Sequence, residues 1–445
     1  MTPDLPSEHY LARQRRFESN ARTYPRRLPL SIRKAEGLFV TDCDGRVFMD
    51  CLCGAGTLVL GHNHPVAIDA IRRHLDDGYP LHSLDLTSPV KDAFVEELFA
   101  TLPPAFARRA KIQFCGPSGS DAVEAALKLV KIATGRRSLL AFSGAYHGQT
   151  HGTLALMGSL GPKSPVAGLM TDVHFLPFPS PYRCPAGCLV CDGRHVFDSA
   201  AALLDDPESG IPQPAGMILE VVQGEGGCIP APDDWLRDIR NLTREKNIPL
   251  ILDEVQTGWG RTGTLYAFQR ADIVPDVLVL SKAIGGGLPM AVIVYDESLD
   301  VWEPGAHAGT FRGNQLAMSA GLATLRFIEE NDVPANAERM GRLLRERLEE
   351  LQRRHPFLGD VRGRGLMLGV EVVAPEAVDR FGRPVWNGGT ARRIQQACFE
   401  RGLIIETGGR NSSVLRFLPP LNITESQVDA IAEVVAAACR AIQQP

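Results

Sequence analysis

The sequence of 445 residues contains no long apolar run that is free of charged residues. A membrane-spanning helix needs about 18 such residues, so we expect no membrane partner. The first 30 residues carry arginine, glutamate and proline throughout and have no apolar centre, which does not fit a secretory signal. A chain that stays in a reducing compartment keeps its thiols, so we expect a cytoplasmic protein whose ten cysteines are unpaired.

The sequence also lacks an excess of charge of one sign. It contains 47 Lys and Arg against 52 Asp and Glu, a formal net charge of -5. This balance predicts no nucleic-acid partner, because such partners bind through a strong positive field. The length exceeds what one simple core accommodates. We therefore predict an N-terminal segment over 1–60 that joins a small domain, a large domain over 61–325 and the C-terminal small domain over 326–445.

Short apolar runs alternate with helical patterns in the middle of the chain. We predict helices at 122–133 and 235–246, and strands at 111–115, 138–142, 217–221, 249–253, 277–281 and 291–294. Runs that are apolar on both faces indicate a mainly parallel sheet that is covered by helices on each side.

The last part of the chain has a different pattern. A charged amphipathic helix is predicted at 339–354, a final helix at 425–442, and short strands at 366–373 and 414–418. An N-terminal hairpin around Asp44-Gly45 could join these elements. Together they predict a smaller α+β domain.

Three predicted strand ends carry residues suited to chemistry, and ligands of open α/β sheets gather at such ends. Ser118 and Ser120 flank a glycine before a helix, which indicates either an anion site or an ordinary helix cap. Asp253 ends a buried run and needs a cationic or hydrogen-bonding partner, unless it only caps a helix or binds a metal. Lys282 also ends an apolar run, where desolvation makes an amine nucleophilic. A lone lysine at such a place is more commonly a surface residue.

These residues and several further motifs resemble the class III, or subgroup II, aminotransferases of pyridoxal phosphate (PLP) fold type I. The resemblance extends over nearly the whole chain. It implies an α/β fold, with a large domain around a mainly parallel seven-stranded sheet and a smaller α+β domain. The motifs that carry it are Gly61-His62-Asn63-His64-Pro65, Ser118-Gly119-Ser120-Asp121-Ala122, Tyr146-His147-Gly148, the run 220–227, the run 253–258, Ser281-Lys282, Gly309-Thr310-Phe311, and Arg416 before Pro419-Pro420.

The resemblance implies PLP as the cofactor. Lys282 is expected to bind it covalently and then to act as general base and acid, while Asp253 pairs with its pyridinium nitrogen. Thr310 is expected to reach the phosphate of a neighbouring subunit, which implies a homodimer with shared active sites. The other implied cofactor contacts are Ser118, Gly119 and Ser120 at the phosphate, Tyr146 on the ring face together with His147, and Gln256 at the phenolic oxygen.

The resemblance also implies how two substrates share one site. In relatives that use ω-amines, an arginine at the position of Arg416 binds the α-carboxylate of 2-oxoglutarate or glutamate. Glu225 pairs with that arginine when the amine substrate is bound, although an ordinary structural ion pair is the alternative. Racemases, mutases and decarboxylases share the core, but the pair of Glu225 and Arg416 favours amino transfer.

Two segments are similar to those of family members that act on 2,4-diaminobutyrate, namely Cys53-Gly54-Ala55-Gly56-Thr57-Leu58 and Thr310-Phe311-Arg312-Gly313-Asn314-Gln315. The implied reaction moves the 4-amino group of L-2,4-diaminobutyrate to 2-oxoglutarate and gives L-aspartate 4-semialdehyde and L-glutamate. Ornithine, 4-aminobutyrate, lysine or a diamine stay open as donors, because a few contacts set the length of the donor.

One element departs from the pattern of the family. Cys184, Cys188, Cys191 and His195 form a C-x3-C-x2-C-x3-H series in a loop rich in proline and glycine. Such side chains can bind zinc, and three cysteines can hold an iron–sulfur cluster. Ordinary loop thiols without a metal are the alternative.

Overall fold

The computed structural model describes residues 5–188 and 191–443. Its centre is a seven-stranded sheet in which one strand, Val292–Asp296, runs antiparallel to both its neighbours. The other neighbouring strands are parallel. The predicted mainly parallel seven-stranded sheet is therefore confirmed. In spatial order its strands are Ala110–Phe114, Val292–Asp296, Val277–Leu280, Leu250–Asp253, Gly216–Leu219, Leu139–Phe142 and Val173–Leu176.

The central strands are apolar throughout because helices cover both faces of the sheet. Alternate residues of a strand point to opposite faces. Leu250 and Leu252 belong to the apolar core on one face, whereas Ile251 belongs to a second core shared with the helix Gly119–Thr134. All residues of Leu250–Asp253 are consequently buried.

The edge strand Val173–Leu176 was not predicted from the sequence. It lies next to Leu139–Phe142 at the end of the sheet and is largely only half-buried. A strand in this position tolerates a polar residue such as His174, so it lacks the continuous apolar run that identified the other strands.

Helices surround the sheet and build much of the remaining chain. None of the helices in the two described stretches is long and apolar enough to cross a membrane. The helix Gly388–Glu400 was not predicted, and the predicted helices overlap helices of the structure. The bounds are Ser7–Phe17, Cys53–Gly56, Pro65–Asp76, Pro89–Ala100, Pro104–Ala107, Gly119–Thr134, His151–Leu156, Leu160–Lys163, Arg194–Asp205, Asp233–Glu245, Gln315–Glu330, Val333–Arg354, Gly388–Glu400 and Glu425–Gln443.

Two smaller sheets lie outside the central one. The first is antiparallel and consists of Leu358–Arg364, Met367–Val378, Val414–Phe417 and Glu406–Gly408, with Pro384–Trp386 paired to its second strand. The second joins the N-terminal strands to the C-terminal part of the chain, because Val47–Asp50 pairs in parallel with Leu403–Ile404. The second sheet contains Ile32–Glu36, Phe39–Asp42, Val47–Asp50 and Leu403–Ile404, and a further short pair is Val222–Gln223 with Ile229–Pro230. The predicted limits of the domains stay a prediction.

The helix Gln315–Glu330 supports the turn that carries Lys282. This turn is a single 3-10 helix, Lys282–Gly285, which follows the strand Val277–Leu280. Gly321 lies directly against the turn, and a Cβ at this position would overlap the carbonyl oxygen of Ile284. The close approach of helix and turn therefore requires glycine at position 321. This packing fixes the position of the backbone from which the side chain of Lys282 extends.

Gly321→Ala is expected to lower the free energy of unfolding by about 1–3 kcal/mol, because the backbone of the turn must move to admit the methyl group. Thermal unfolding of the purified variant measures the effect as a lower Tm. Gly161→Ala is the matched control, since a Cβ at Gly161 meets nothing within 4 Å. A Gly321→Ala variant that melts together with this control would contradict the packing argument.

Candidate active site

A cavity of about 170 Å³ lies at the carboxyl ends of the central strands. It brings together most of the residues that the sequence predicted for the site. Arg416 lies behind the lining, and Ser118 and Thr310 lie outside it. The predicted residues that line the cavity are Gly119, Ser120, Tyr146, His147, Glu225, Asp253, Gln256 and Lys282.

Asp253 lies at the end of its strand and is 6% exposed. Its Oδ2 is 2.8 Å from Nδ1 of His147, and its Oδ1 accepts a hydrogen bond from the backbone N–H of Val255 at 3.1 Å. Burial disfavours the charged form of His147, but the bond to Asp253 outweighs this effect and raises the pKa of His147. The histidine and the backbone thus hold the carboxylate in a fixed orientation.

Lys282 reaches the same cavity from the neighbouring strand. The parallel register pairs Asp253 with Val279, three positions before Lys282. Burial lowers the pKa of the Lys282 amine below its usual value. The backbone of Lys282 has a φ of +49°, a left-handed conformation that costs energy for a non-glycine residue and is enriched at active sites.

The start of the helix Gly119–Thr134 forms one wall of the cavity. Helix N-termini offer free N–H groups and a partial positive charge to anions. Gly119 and Ser120 line the cavity, and a Cβ at Gly119 would lie 3.0 Å from the side chain of Val255. Ser118 is exposed, and its hydroxyl accepts a hydrogen bond from the backbone N–H of Asp121 at 3.2 Å. Its observed contact is thus the ordinary helix cap, and its predicted phosphate contact stays a prediction.

Arg416 is fully buried on the strand Val414–Phe417, and one of its nitrogen atoms donates hydrogen bonds to two carboxylates. Its Nη1 donates to Glu225 at 2.6 Å and to Glu406 at 3.2 Å. Burial opposes the charged form of Glu225, but Arg416 outweighs it and holds the pKa of Glu225 below its usual value. The predicted pair of Glu225 and Arg416 is therefore formed, and Glu406 is an additional partner that the sequence did not reveal.

Glu220 is a second residue that the sequence did not single out as part of the site. It lines the cavity and accepts hydrogen bonds from the backbone N–H groups of Tyr146 and Gly224, each at 2.9 Å. Burial raises the pKa of Glu220 to about 7. Its contact to the backbone of Tyr146 fixes the segment that places the aromatic ring in the cavity.

Gln256 has both of its polar atoms occupied by protein groups. Its Nε2 donates to the carbonyl oxygen of Ala55 at 2.9 Å, and its Oε1 accepts from Nη2 of Arg416 at 3.0 Å. Its predicted bond to the phenolic oxygen of the cofactor stays a prediction. Thr310 is exposed, and its carbonyl oxygen lies 2.9 Å from Nε2 of His82, so this threonine takes no part in the lining of the cavity.

The sequence matches the profile of the class III aminotransferases over residues 21–439. The chain belongs to this family. A diaminobutyrate–2-oxoglutarate aminotransferase of Rhizobium meliloti is 57% identical over 434 residues, which cover 96% of this chain and 92% of that protein. A protein of the same name from Haemophilus influenzae is 46% identical over 425 residues, which cover 95% and 93% of the two chains.

Solved structures share the fold over nearly the full length. An amine transaminase from an uncultivated Pseudomonas species, in its PLP-bound form, has a TM-score of 0.85 at 28% identity and covers 96% of this chain and 98% of that chain. An (S)-enantioselective ω-transaminase from Thermomicrobium roseum has a TM-score of 0.88 at 25% identity, with coverages of 98% and 99%. Family and fold together confirm the predicted aminotransferase, its PLP fold type I and its PLP cofactor.

The cysteine-containing loop lies outside the cavity. The thiol of Cys184 is hydrogen-bonded to the thiols of both Cys188 and Cys191, while His195 is exposed. Residues 189 and 190, between two of these cysteines, lie outside the described residues. Among the described residues, a group of three potential metal-ligand atoms within 4.8 Å of one another occurs at Cys115, Asp121 and His307. The loop contains no such group. The zinc or iron–sulfur site stays a prediction.

Metal analysis of the purified protein tests the loop directly. Because the sulfur atoms of Cys184, Cys188 and Cys191 do not all lie within 4.8 Å of one another, we expect no stoichiometric zinc or iron, and three thiols that alkylating reagents modify once the protein is denatured. Mass spectrometry of the alkylated protein counts those thiols. One zinc per chain that is lost in Cys184→Ser, but not in Cys43→Ser, would contradict this expectation.

Proposed function

We propose that the protein transfers the 4-amino group of L-2,4-diaminobutyrate to 2-oxoglutarate, which gives L-aspartate 4-semialdehyde and L-glutamate. The observation that carries the proposal is the ion pair between Glu225 and buried Arg416 beside the cavity of Lys282. A site that binds two unlike substrates in turn needs a cation for the carboxylate of one substrate. It also needs an anion that pairs with this cation when the other substrate is bound. The names of the relatives at 57% and 46% identity support the choice of donor.

The residues of the cavity fit PLP. The helix start at Gly119 and Ser120 offers N–H groups to a phosphate, and Gly119 leaves space next to Val255 that a Cβ would fill. Asp253 offers a buried carboxylate to a pyridinium nitrogen, and Lys282 offers an amine to an aldehyde. The chemistry that the bound cofactor supplies is withdrawal of electrons from the carbon that carries the amino group.

Lys282 is the proton carrier in this proposal. Because burial lowers the pKa of its amine, the neutral form is available nearer to neutral pH than in a free lysine. Nζ of Lys282 first holds the cofactor and then moves a proton at the substrate carbon. Asp253, oriented by His147, would pair with the pyridinium nitrogen of the bound cofactor.

Glu225 and Arg416 distinguish the two substrates in this proposal. With the amine bound, Glu225 stays on Arg416 and neutralises it. With 2-oxoglutarate bound, the α-carboxylate takes the place of Glu225 in a bidentate contact. Arg416 keeps its position during this exchange, because Gln256 and Glu406 continue to accept its N–H groups.

A panel of amine donors with 2-oxoglutarate as the acceptor tests the proposed function. We expect L-2,4-diaminobutyrate to give the highest kcat/KM for glutamate formation, above ornithine, lysine, 4-aminobutyrate and diamines. Lys282→Ala is expected to lose turnover by several orders of magnitude, because the proton carrier is absent. Glutamate formation that is fastest with a different donor would contradict the proposed substrate, and turnover by Lys282→Ala would contradict the proposed role of the lysine.

We propose further that the protein is a homodimer whose partner covers the surface around Thr310. The segment that contains Leu81, Leu84 and Leu86 lies against the segment of Thr310, through the contact of His82 with the Thr310 carbonyl oxygen. These leucines are 59%, 49% and 67% exposed, and Phe311 is 71% exposed. An exposed apolar patch of this kind indicates a protein interface. The family resemblance indicates that a second copy of the chain covers this patch.

Leu86→Glu is expected to weaken the dimer, because a charge would be buried at the interface. Sedimentation velocity measures the fraction of monomer, and the same samples are assayed for transamination. Leu160→Glu places the same charge at a leucine that is 71% exposed elsewhere on the surface and serves as the control. A Leu86→Glu protein that remains a fully active dimer would rule out this interface.

A further inference from the structure

The cluster around Arg416 contains more negative charge than one guanidinium balances. Glu225 and Glu406 both accept from Nη1 of Arg416, at 2.6 and 3.2 Å. Glu406 begins the strand Glu406–Gly408 and is only 8% exposed. As long as Glu225 stays on Arg416, Glu406 shares this guanidinium and, among the described residues, forms no salt bridge to another cation.

A buried anion of this kind attracts a further cation. Burial raises the pKa of Glu406, and Arg416 does not offset this fully because Glu225 competes for the same guanidinium. A cation that arrives beside Glu406 stabilises its charged form and gains a charge-assisted hydrogen bond. The cluster is thus prepared for a positively charged group from outside the protein.

Two residues of the N-terminal segment face the same place. The hydroxyl group of Tyr24 is hydrogen-bonded to Glu406. Arg27 is exposed, and its Nη1 lies 3.4 Å from Oγ1 of Thr407, the residue after Glu406. Among residues 5–188 and 191–443, no carboxylate forms a salt bridge with Arg27. The charge of Arg27 helps to stabilise the charged form of Glu406, but no salt bridge joins these two described side chains, so both can still bind groups of a ligand.

We propose that Glu406 and Arg27 form a subsite for the far end of the amine donor, in which Glu406 binds the α-ammonium group and Arg27 binds the α-carboxylate. The subsite rests on the proposed function, because a donor that reacts at its 4-amino group presents an ammonium and a carboxylate group at its other end. Glu225 remains on Arg416 in this half-reaction. Tyr24 holds Glu406 in the orientation that the ammonium group meets.

The subsite distinguishes amines by the charged groups at the end opposite to the reacting amino group. 4-Aminobutyrate is 2,4-diaminobutyrate without the α-ammonium group, and 1,3-diaminopropane is 2,4-diaminobutyrate without the carboxylate. The first compound leaves Glu406 without a partner, and the second leaves Arg27 without one. Each compound therefore reports on one half of the subsite.

Glu406→Gln keeps the shape of the side chain and removes its charge. We expect the preference for 2,4-diaminobutyrate over 4-aminobutyrate, as the ratio of their kcat/KM values, to fall by about 10- to 100-fold, the loss typical of a hydrogen bond to a charged group. Arg27→Gln is expected to lower the preference over 1,3-diaminopropane by a similar factor. Single-turnover absorbance changes of the cofactor give each half-reaction separately.

Control variants keep the test independent of folding. Glu376→Gln removes an exposed glutamate of the strand Met367–Val378 and is expected to keep the preference, and Glu406→Asp is expected to retain most of it. An unchanged ratio in Glu406→Gln would overturn the subsite, including the case in which both donors slow equally. The wild-type protein is measured first: use of 4-aminobutyrate without use of diaminobutyrate contradicts the proposed donor, whatever the variants do.

Discussion

Burial of both faces of the parallel sheet is the constraint on which the site depends. The strand Leu250–Asp253 has no exposed residue, so a polar side chain is stable only at its end, where the chain leaves the sheet and partners are available. Parallel pairing with Val277–Leu280 brings the ends of both strands to one edge. Asp253 and Lys282 share a cavity for this reason, and the helix start at Gly119 completes it from the side.

Buried Arg416 imposes a second constraint. A guanidinium without solvent requires anions close by, and removal of one partner leaves an uncompensated charge. Glu225 comes from the loop after the central strand Gly216–Leu219, whereas Glu406 comes from the antiparallel C-terminal sheet. The ion pair between Glu225 and Arg416 therefore connects the segment after the central strand to the C-terminal sheet. In the proposed half-reaction with 2-oxoglutarate, displacement of Glu225 would alter this connection at the same time as it changes the charge of the site.

The sequence predicted those parts of the fold and site that leave a local signal. Asp253 and Lys282 stand directly after apolar runs, and small residues precede the helix at Gly119. Glu406 has no such signal, because its strand is three residues long and its partner Arg416 is set by antiparallel pairing within a small sheet. The edge strand Val173–Leu176 also lacks a local signal, because it is only partly buried and therefore has no continuous apolar run.

Other residues were identified by motif, but their contacts depend on more than one chain segment. Gln256 binds Ala55 and Arg416, which are far apart in the sequence, so its hydrogen bonds could not be read from its neighbours. Thr310 is exposed in the single chain, and its expected role involves a second copy. The hydroxyl of Ser118 caps the helix, and its predicted contact with the phosphate stays a prediction.

The pairing of Val47–Asp50 with Leu403–Ile404 has a consequence for how this enzyme type can diversify. It brings the N-terminal segment that contains Tyr24 and Arg27 next to the C-terminal sheet that contains Glu406. The groups around Lys282 come from a separate, central stretch of the chain. If the proposed subsite holds, mutations in the two terminal regions alter which amine is accepted and leave Asp253 and Lys282 unchanged.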